Sequence, residues 1–313
     1  MLKFAVAFAF GGALTLMKKQ IKIWIECARL RTLPVSVAGV VAAGALAWHF
    51  GHFHWVPAML CVVFALLAQI VSNFANEYYD FKRGTDKVGR VGPRRGVTEG
   101  DIKPRTLLIV TYATLALACA VGLCLLFYGE WWLLPCGVVI ALAALAYSTG
   151  PYPLSYHGLG EFTVFLFYGV VPVSLSFYVI AGGFNVFAIL ASMAIGFMGV
   201  NVLIVNNYRD ADDDRDAGKR TSVVIFGRTL AALAYLINGF CAICILTPLW
   251  MRLILLEKWL WLAAPIVYLL MHIATWLRLR RRTGAALNPL LGATARSMLI
   301  FTILLAAALI IDF

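Results

Sequence analysis

A chain of 313 residues that is 62% hydrophobic and only 13% charged is not a water-soluble domain, because such domains are about 45–50% apolar and about 25% charged. The net charge of +11 is read as cytoplasmic loops facing anionic lipid, not as a nucleic-acid surface, so no nucleic-acid partner is expected. The seven cysteines lie in or beside apolar runs and form no disulfide framework, and the Cys241-x-x-Cys244 pair lacks a second pair and a His partner for a metal or redox site.

Residues 1–16, MLKFAVAFAFGGALTL, look like a short signal peptide without a small-x-small cleavage site, and Lys18 and Lys19 follow directly. Met17 offers a second start. The expectation is a dispensable extension over 1–16 and one transmembrane domain over 17–313.

A membrane-spanning helix needs about 20 apolar residues. Nine runs are read as spans, at about 33–52, 55–79, 105–127, 131–148, 161–181, 185–207, 229–249, 259–277 and 290–311. They are too long for barrel strands and lack a barrel's alternation. Basic residues cluster before the first span, between the second and third, between the sixth and seventh, and after the eighth. With an odd number of spans all of these fall on one side, and only Arg252 and Lys258 lie in an outer loop. This is a positive-inside pattern with the N-terminus cytoplasmic. The expected fold is an all-α integral membrane protein of nine transmembrane helices.

The few carboxylates gather at the same face. NFANEYYDFKRGTD, Asn73 to Asp86, closes the second span, and NNYRDADDDRDAGKRT, Asn206 to Thr221, closes the sixth. Asn73 and Glu77 are four apart, as are Asn76 and Asp80, and Asn206, Asp210 and Asp214 repeat the spacing. Residues four apart share a helix face, and ionisable groups at membrane depth face the bundle interior or a water-filled cavity. Two such stripes make a cup of carboxylate and amide oxygens. That donor set suits Mg²⁺, which takes one or two carboxylates plus phosphate oxygens. Arg90, Arg94, Arg95, Lys219 and Arg220 stand nearby to hold phosphate charge. The alternative, a solvated loop of mixed charge, fits one acidic run better than two matched ones. An EF-hand is excluded because Arg215 and Thr221 occupy the positions for Gly and Glu. A phosphate-binding loop is excluded because Arg220 follows Gly218-Lys219 where Ser or Thr belongs.

At these residues the chain resembles the UbiA superfamily of intramembrane prenyltransferases, and within it the 1,4-dihydroxy-2-naphthoate polyprenyltransferases of menaquinone synthesis. Four segments carry the resemblance in order: ARLRTLPVSV, NFANEYYDFKRGTD followed by GRVGPRRGV, YSTGPYPLSYHGLGE, and NNYRDADDDRDAGKRT. The resemblance implies nine transmembrane helices around a central cavity. It places the first aspartate-rich motif on Asn76, Glu77 and Asp80 and the second on Asn206, Asp210 and Asp214, with Mg²⁺ as cofactor and Asp80, Asp210 and Asp214 as the residues on which catalysis depends. It also implies a polyprenyl diphosphate donor held by Arg90, Arg94, Arg95 and Lys219. Glu77 stands where many relatives carry Asp. The reaction implied is ionisation of the donor followed by alkylation of an aromatic acceptor, 1,4-dihydroxy-2-naphthoate, with loss of carbon dioxide.

Tyr78, Tyr79, Tyr147 and Tyr152 are candidates to steady an allylic cation, although interfacial tyrosines are common in any membrane protein. Tyr147, His157 and Glu161 lie on the side of the acid clusters and are candidates to position the acceptor. Other acceptors stay open, among them 4-hydroxybenzoate and homogentisate. An ion-coupled transporter is the alternative outside this class; its coupling acids are expected along a path, whereas these gather at one face. The location implied is a bacterial cytoplasmic (inner) membrane, with lipid around the multi-pass domain. The expected start is tested by N-terminal mass spectrometry of native protein: Met17 or its successor should be first, and a retained Met1 contradicts the extension.

Overall fold

The computed structural model describes residues 17–30, 32–86, 88–89 and 91–311. The expected 1–16 extension and Arg90 therefore lie outside the described residues. Regular structure among the described residues is helical throughout.

In chain order the α-helices are α1 (Met17–Ala28), then α2 (Leu33–His49), α3 (Trp55–Arg83), α4 (Pro104–Leu125), α5 (Leu133–Ala146), α6 (Gly160–Val164), α7 (Val171–Ala181), α8 (Val186–Asp216), α9 (Ser222–Cys244), α10 (Thr247–Leu255), α11 (Ala263–Leu279) and α12 (Asn288–Ile310). A π-helical segment, Phe165–Val170, joins α6 to α7. Its cause is in the sequence. Pro172 has no N–H to offer the carbonyl of Tyr168, so the regular ladder is interrupted there.

Seven helices among the described residues are long and apolar enough to cross a membrane, where nine were expected from the runs. The expected spans at 33–52 and 131–148 are the two that fall short, as α2 has 17 residues and α5 has 14. At about 1.5 Å rise per residue these reach only about 26 Å and 21 Å, less than the roughly 30 Å of a bilayer core. Apolar run length overestimates helix length here because a turn at 50–51, with Gly51 at positive φ, and a turn at 147–148 end the helices early. Helix α2 pairs with α1 across a bend of 61°, and counting that pair as one span gives eight among the described residues.

The two acid-bearing helices end in the same way. Helix α3 stops at Gly84 in the left-handed conformation, and the Thr85 N–H returns to the Asp80 carbonyl at 3.1 Å. After α8, Gly218 takes φ +71°, and the Lys219 N–H returns to the Asp214 carbonyl at 2.8 Å. A glycine just past the end is what a left-handed terminus asks for. Lys82 and Arg83 in one last turn and Arg215 in the other offset the negative helix ends.

Helix α8 is the most buried of the spans and packs against α9, α12, α2, α7 and the π-helical segment. Lipid tails give helices no hydrophobic reason to associate, so close packing through small residues does the work. Gly169 and Gly196 meet so closely that a Cβ on Gly169 would lie 2.2 Å from the Gly196 Cα. Backbone cannot move aside as a flexible side chain can. Gly169→Ala should therefore cost about 1–3 kcal/mol, read as a lowered thermal unfolding midpoint in detergent. Gly137→Ala, inside α5 with no atom within 4 Å of the new Cβ, should not lower the midpoint and should raise it slightly, as a helix-interior Gly→Ala change does.

Candidate active site

A cavity of about 1070 Å³ opens among α2, α3, α5, the π-helical segment and α8. Its walls are apolar over most of their extent, with Val40, Phe64, Leu126 and Leu175 among them, and its polar end is formed by both acid motifs.

Asn76 and Asp80 line the cavity one turn apart on α3. All four hydrogen-bonding positions of the Asn76 amide are filled. Its Nδ2 donates to Asp80 Oδ2 at 2.9 Å and to Ser148 Oγ at 3.2 Å. Its Oδ1 accepts from Arg29 at 2.5 Å and from Arg95 at 3.2 Å. The other oxygen of Asp80 accepts from the Tyr156 hydroxyl at 2.7 Å. Burial, reinforced by the Asp80 charge, raises the Tyr156 hydroxyl well above the usual tyrosine range, so it stays a donor. Arg83 and Lys219 lie over the Tyr156 ring, 4.9 Å and 5.2 Å from its centroid.

On α8, Asn206, Asp210, Asp213 and Asp214 line the same cavity. Arg209 grips Asp210 with both arms of its fork, Nε to Oδ1 at 2.6 Å and Nη2 to Oδ2 at 2.7 Å. The same Nη2 reaches Asn206 Oδ1 at 2.9 Å, and Nη1 reaches Asn288 Oδ1 at 3.3 Å. Lys219 stands 3.5 Å from Asp214. Lys219 also lies over the ring of Tyr156, whose hydroxyl holds Asp80, so the two motifs share neighbours.

The loop after α3 brings Arg94 and Arg95 to the cavity. Arg94 pairs with Asp101 at 2.5 Å, and Arg95 pairs with Asp86 at 3.1 Å.

The structure thus brings together Asn76, Asp80, Asn206, Asp210, Asp214, Arg94, Arg95, Lys219, Tyr147 and Glu161, all of which line the cavity. Glu161 accepts from Asn207 Nδ2 at 3.0 Å and from the Ser222 hydroxyl. Glu77 and His157 are not among the lining residues. The Glu77 side chain turns to the Val97 N–H at 3.1 Å and the Cys27 thiol at 3.4 Å. His157 is exposed, stacked on Tyr152 at 3.7 Å and bonded through Nδ1 to the Pro153 carbonyl. Tyr78, Tyr79 and Tyr152 also stay outside the cavity. Sequence reasoning missed Arg29, Tyr168 and Arg209 as lining residues, and Tyr156 as the partner of Asp80. Arg209 had a legible signal, three residues from Asn206 and next to Asp210. Tyr168 had one in Pro172, four residues on.

No three of the described His, Cys, Asp and Glu side chains are grouped as a ready-made metal cage. The donor set nevertheless fits Mg²⁺. It is all oxygen, it comes from two helices, and this ion takes one or two carboxylates with the rest of its shell from water and phosphate.

The sequence pattern of the UbiA prenyltransferase family matches residues 37–303. The chain belongs to that family. It is similar to the 1,4-dihydroxy-2-naphthoate octaprenyltransferase of Escherichia coli (strain K12), 34% identical over 292 residues, covering 90% of this chain and 92% of the relative. The protein of the same description from Mycobacterium tuberculosis is 34% identical over 288 residues, covering 91% and 96%. Among solved structures, a UbiA homolog from Archaeoglobus fulgidus bound to DMAPP and Mg²⁺ matches with TM-score 0.59 at 17% identity, covering 91% of this chain and 99% of that one. The apo UbiA homolog from Aeropyrum pernix K1 matches with TM-score 0.63 at 14% identity, covering 88% and 96%. At these identities the structural likeness speaks for the fold. This UbiA-family chain is a prenyltransferase and an integral, multi-pass membrane protein.

Tyr156→Phe removes one hydroxyl and leaves the ring beneath Arg83 and Lys219. It should lower kcat/KM about tenfold, the size set by a lost hydrogen bond to a charged acceptor. Initial rates in membranes check this, with wild-type-like thermal unfolding as the control.

Proposed function

We propose that this chain transfers a polyprenyl group from a polyprenyl diphosphate to 1,4-dihydroxy-2-naphthoate, with loss of carbon dioxide and in the presence of Mg²⁺, giving demethylmenaquinone in its reduced, hydroquinone form. The carrying observation is one cavity with two amide–carboxylate stripes at its polar end and apolar walls beyond them, in a chain 34% identical to enzymes of that description. The DMAPP and Mg²⁺ of the Archaeoglobus fulgidus homolog support the same donor class. The site would sit at the cytoplasmic face of a bacterial inner membrane, with the N-terminus on that side.

In this reading Asn76, Asp80, Asn206, Asp210 and Asp214 hold the metal, which would neutralise charge developing on the leaving diphosphate. Arg94, Arg95 and Lys219 share that charge as donors. The carbon–oxygen bond of the donor breaks with its electron pair leaving on the diphosphate. An electron pair of the naphthoate ring forms the new carbon–carbon bond. The pair of the broken ring–carboxylate bond stays with the ring as carbon dioxide departs. Tyr147 and Tyr168 offer ring faces to the allylic carbon from the cavity wall. Glu161, fixed by Asn207 and Ser222, faces the acceptor. The apolar walls take the prenyl tail and exclude water from the cation.

The test uses membranes containing the protein, farnesyl or geranylgeranyl diphosphate, Mg²⁺ and a panel of aromatic acceptors, with product read by mass. Product with the naphthoate that disappears with chelator is expected. Product only with 4-hydroxybenzoate or homogentisate keeps the reaction class and corrects the acceptor. No product from folded protein, together with ion-dependent flux in liposomes, replaces the reading by transport. Asp80→Ala, Asp210→Ala and Asp214→Ala should each lower turnover at least about a hundredfold with the fold retained. Retained activity in all three contradicts the assigned site.

A further inference from the structure

Glu77 is set apart from the other acids of its motif. It is 1% exposed and does not reach the cavity that its neighbour Asn76 lines. Successive helix residues point about 100° apart, so Asn76 faces the cavity while Glu77 faces α1 and the loop after α3. Its Oε1 accepts the Val97 backbone N–H and the Cys27 thiol, and its Oε2 lies 4.0 Å from Arg95. A buried carboxylate needs such donors to offset its lost hydration.

A second contact fixes the same loop from the other side. Asn288, at the start of α12, donates Nδ2 to the Val91 carbonyl at 3.0 Å. Its Oδ1 accepts from Arg209, which holds Asp210 by two further bonds. One amide therefore links the loop to the second motif. Arg94 and Arg95 lie between the two fixed points, Val91 and Val97.

We propose that Glu77 and Asn288 are positioning residues that tether the 91–97 segment from α3 and from α12 and so set where Arg94 and Arg95 stand over the cavity. The functional part rests on the reading of those arginines as holders of the donor diphosphate. Loosening either tether then weakens donor binding and leaves the acceptor side untouched. Glu77 acts through the Val97 amide and not as a ligand of the metal.

The experiment compares Glu77→Gln, Glu77→Ala, Asn288→Asp and Asn288→Ala in membranes or nanodiscs. It reads donor KM, acceptor KM, half-saturating Mg²⁺ and amide hydrogen exchange over 91–101. Glu77→Gln keeps an oxygen acceptor for Val97, so donor KM should stay within about twofold and half-saturating Mg²⁺ should not move. Glu77→Ala and Asn288→Ala should raise donor KM about tenfold, leave acceptor KM unchanged and speed exchange at Val97 and its neighbours. Asn288→Asp keeps the acceptor for Arg209 but loses the donor to Val91, and should match Asn288→Ala in loop exchange.

A tenfold rise in half-saturating Mg²⁺ in Glu77→Gln would make Glu77 a ligand and overturn its assignment. Unchanged exchange over 91–101 in the Asn288 variants overturns the second tether. Should Glu77→Ala not fold, Glu77→Gln and the Asn288 pair still decide. Should no prenyl diphosphate prove to be a substrate, the kinetic arms fall with that reading, and hydrogen exchange still tests the tethers.

Discussion

Acids sunk into the end of a membrane bundle must each have a compensating partner, and the polar end of this cavity is organised around that requirement. An unpaired carboxylate in such surroundings loses several kcal/mol of hydration, by the usual order of magnitude. Asp210 answers with the bidentate fork of Arg209, Asp80 with Asn76 and Tyr156, Asp214 with Lys219, and Asp86 with Arg95. Arg209 is the neighbour of Asp210 on α8, but Tyr156 reaches Asp80 from the loop before α6, Lys219 lies both over the Tyr156 ring and beside Asp214, and Arg95 reaches Asn76 from the loop after α3. Satisfying the acids therefore draws α3, α8, the loop after α3 and the loop before α6 to one place.

The same pairing gives the site its chemical character. In the proposed function, cations already held beside carboxylates would meet the negative charge of a diphosphate without a large rearrangement. The donors on Asn76 show how tightly this is drawn, because two arginines from different loops meet at one amide oxygen. The apolar remainder of the cavity has the opposite task. It presents mostly hydrocarbon to a reactive carbon, with few groups that could trap it.

Backbone geometry at the helix ends supplies the precision. Left-handed glycines stop α3 and α8 just past their acid stripes, and the returning amides of Thr85 and Lys219 close each end on an aspartate carbonyl. The Lys219 side chain is thereby set 3.5 Å from Asp214. Close contact of Gly169 and Gly196 lets the π-helical segment lie against α8, which places Tyr168 in the cavity wall.

Much of this was legible in the sequence. Apolar runs announced the helices, because a backbone in lipid must satisfy its own hydrogen bonds. The spacing of four placed Asn76 with Asp80, and Asn206 with Asp210 and Asp214, because helix period is a local property. What local period does not carry is where a side chain goes once neighbours arrive. Glu77 has the composition of the stripe but turns to Val97 and Cys27, which are 20 and 50 residues away in the chain. His157 has ordinary catalytic chemistry yet stacks on Tyr152 outside the cavity. The runs at 33–52 and 131–148 are apolar enough to span but are ended early by turns. Asn288 lies 197 residues from Val91, and their contact exists only in the folded chain. The sequence determined which groups were available and which shared a helix face. The tertiary structure decided which of them meet, because partners for buried charge are chosen by proximity in space.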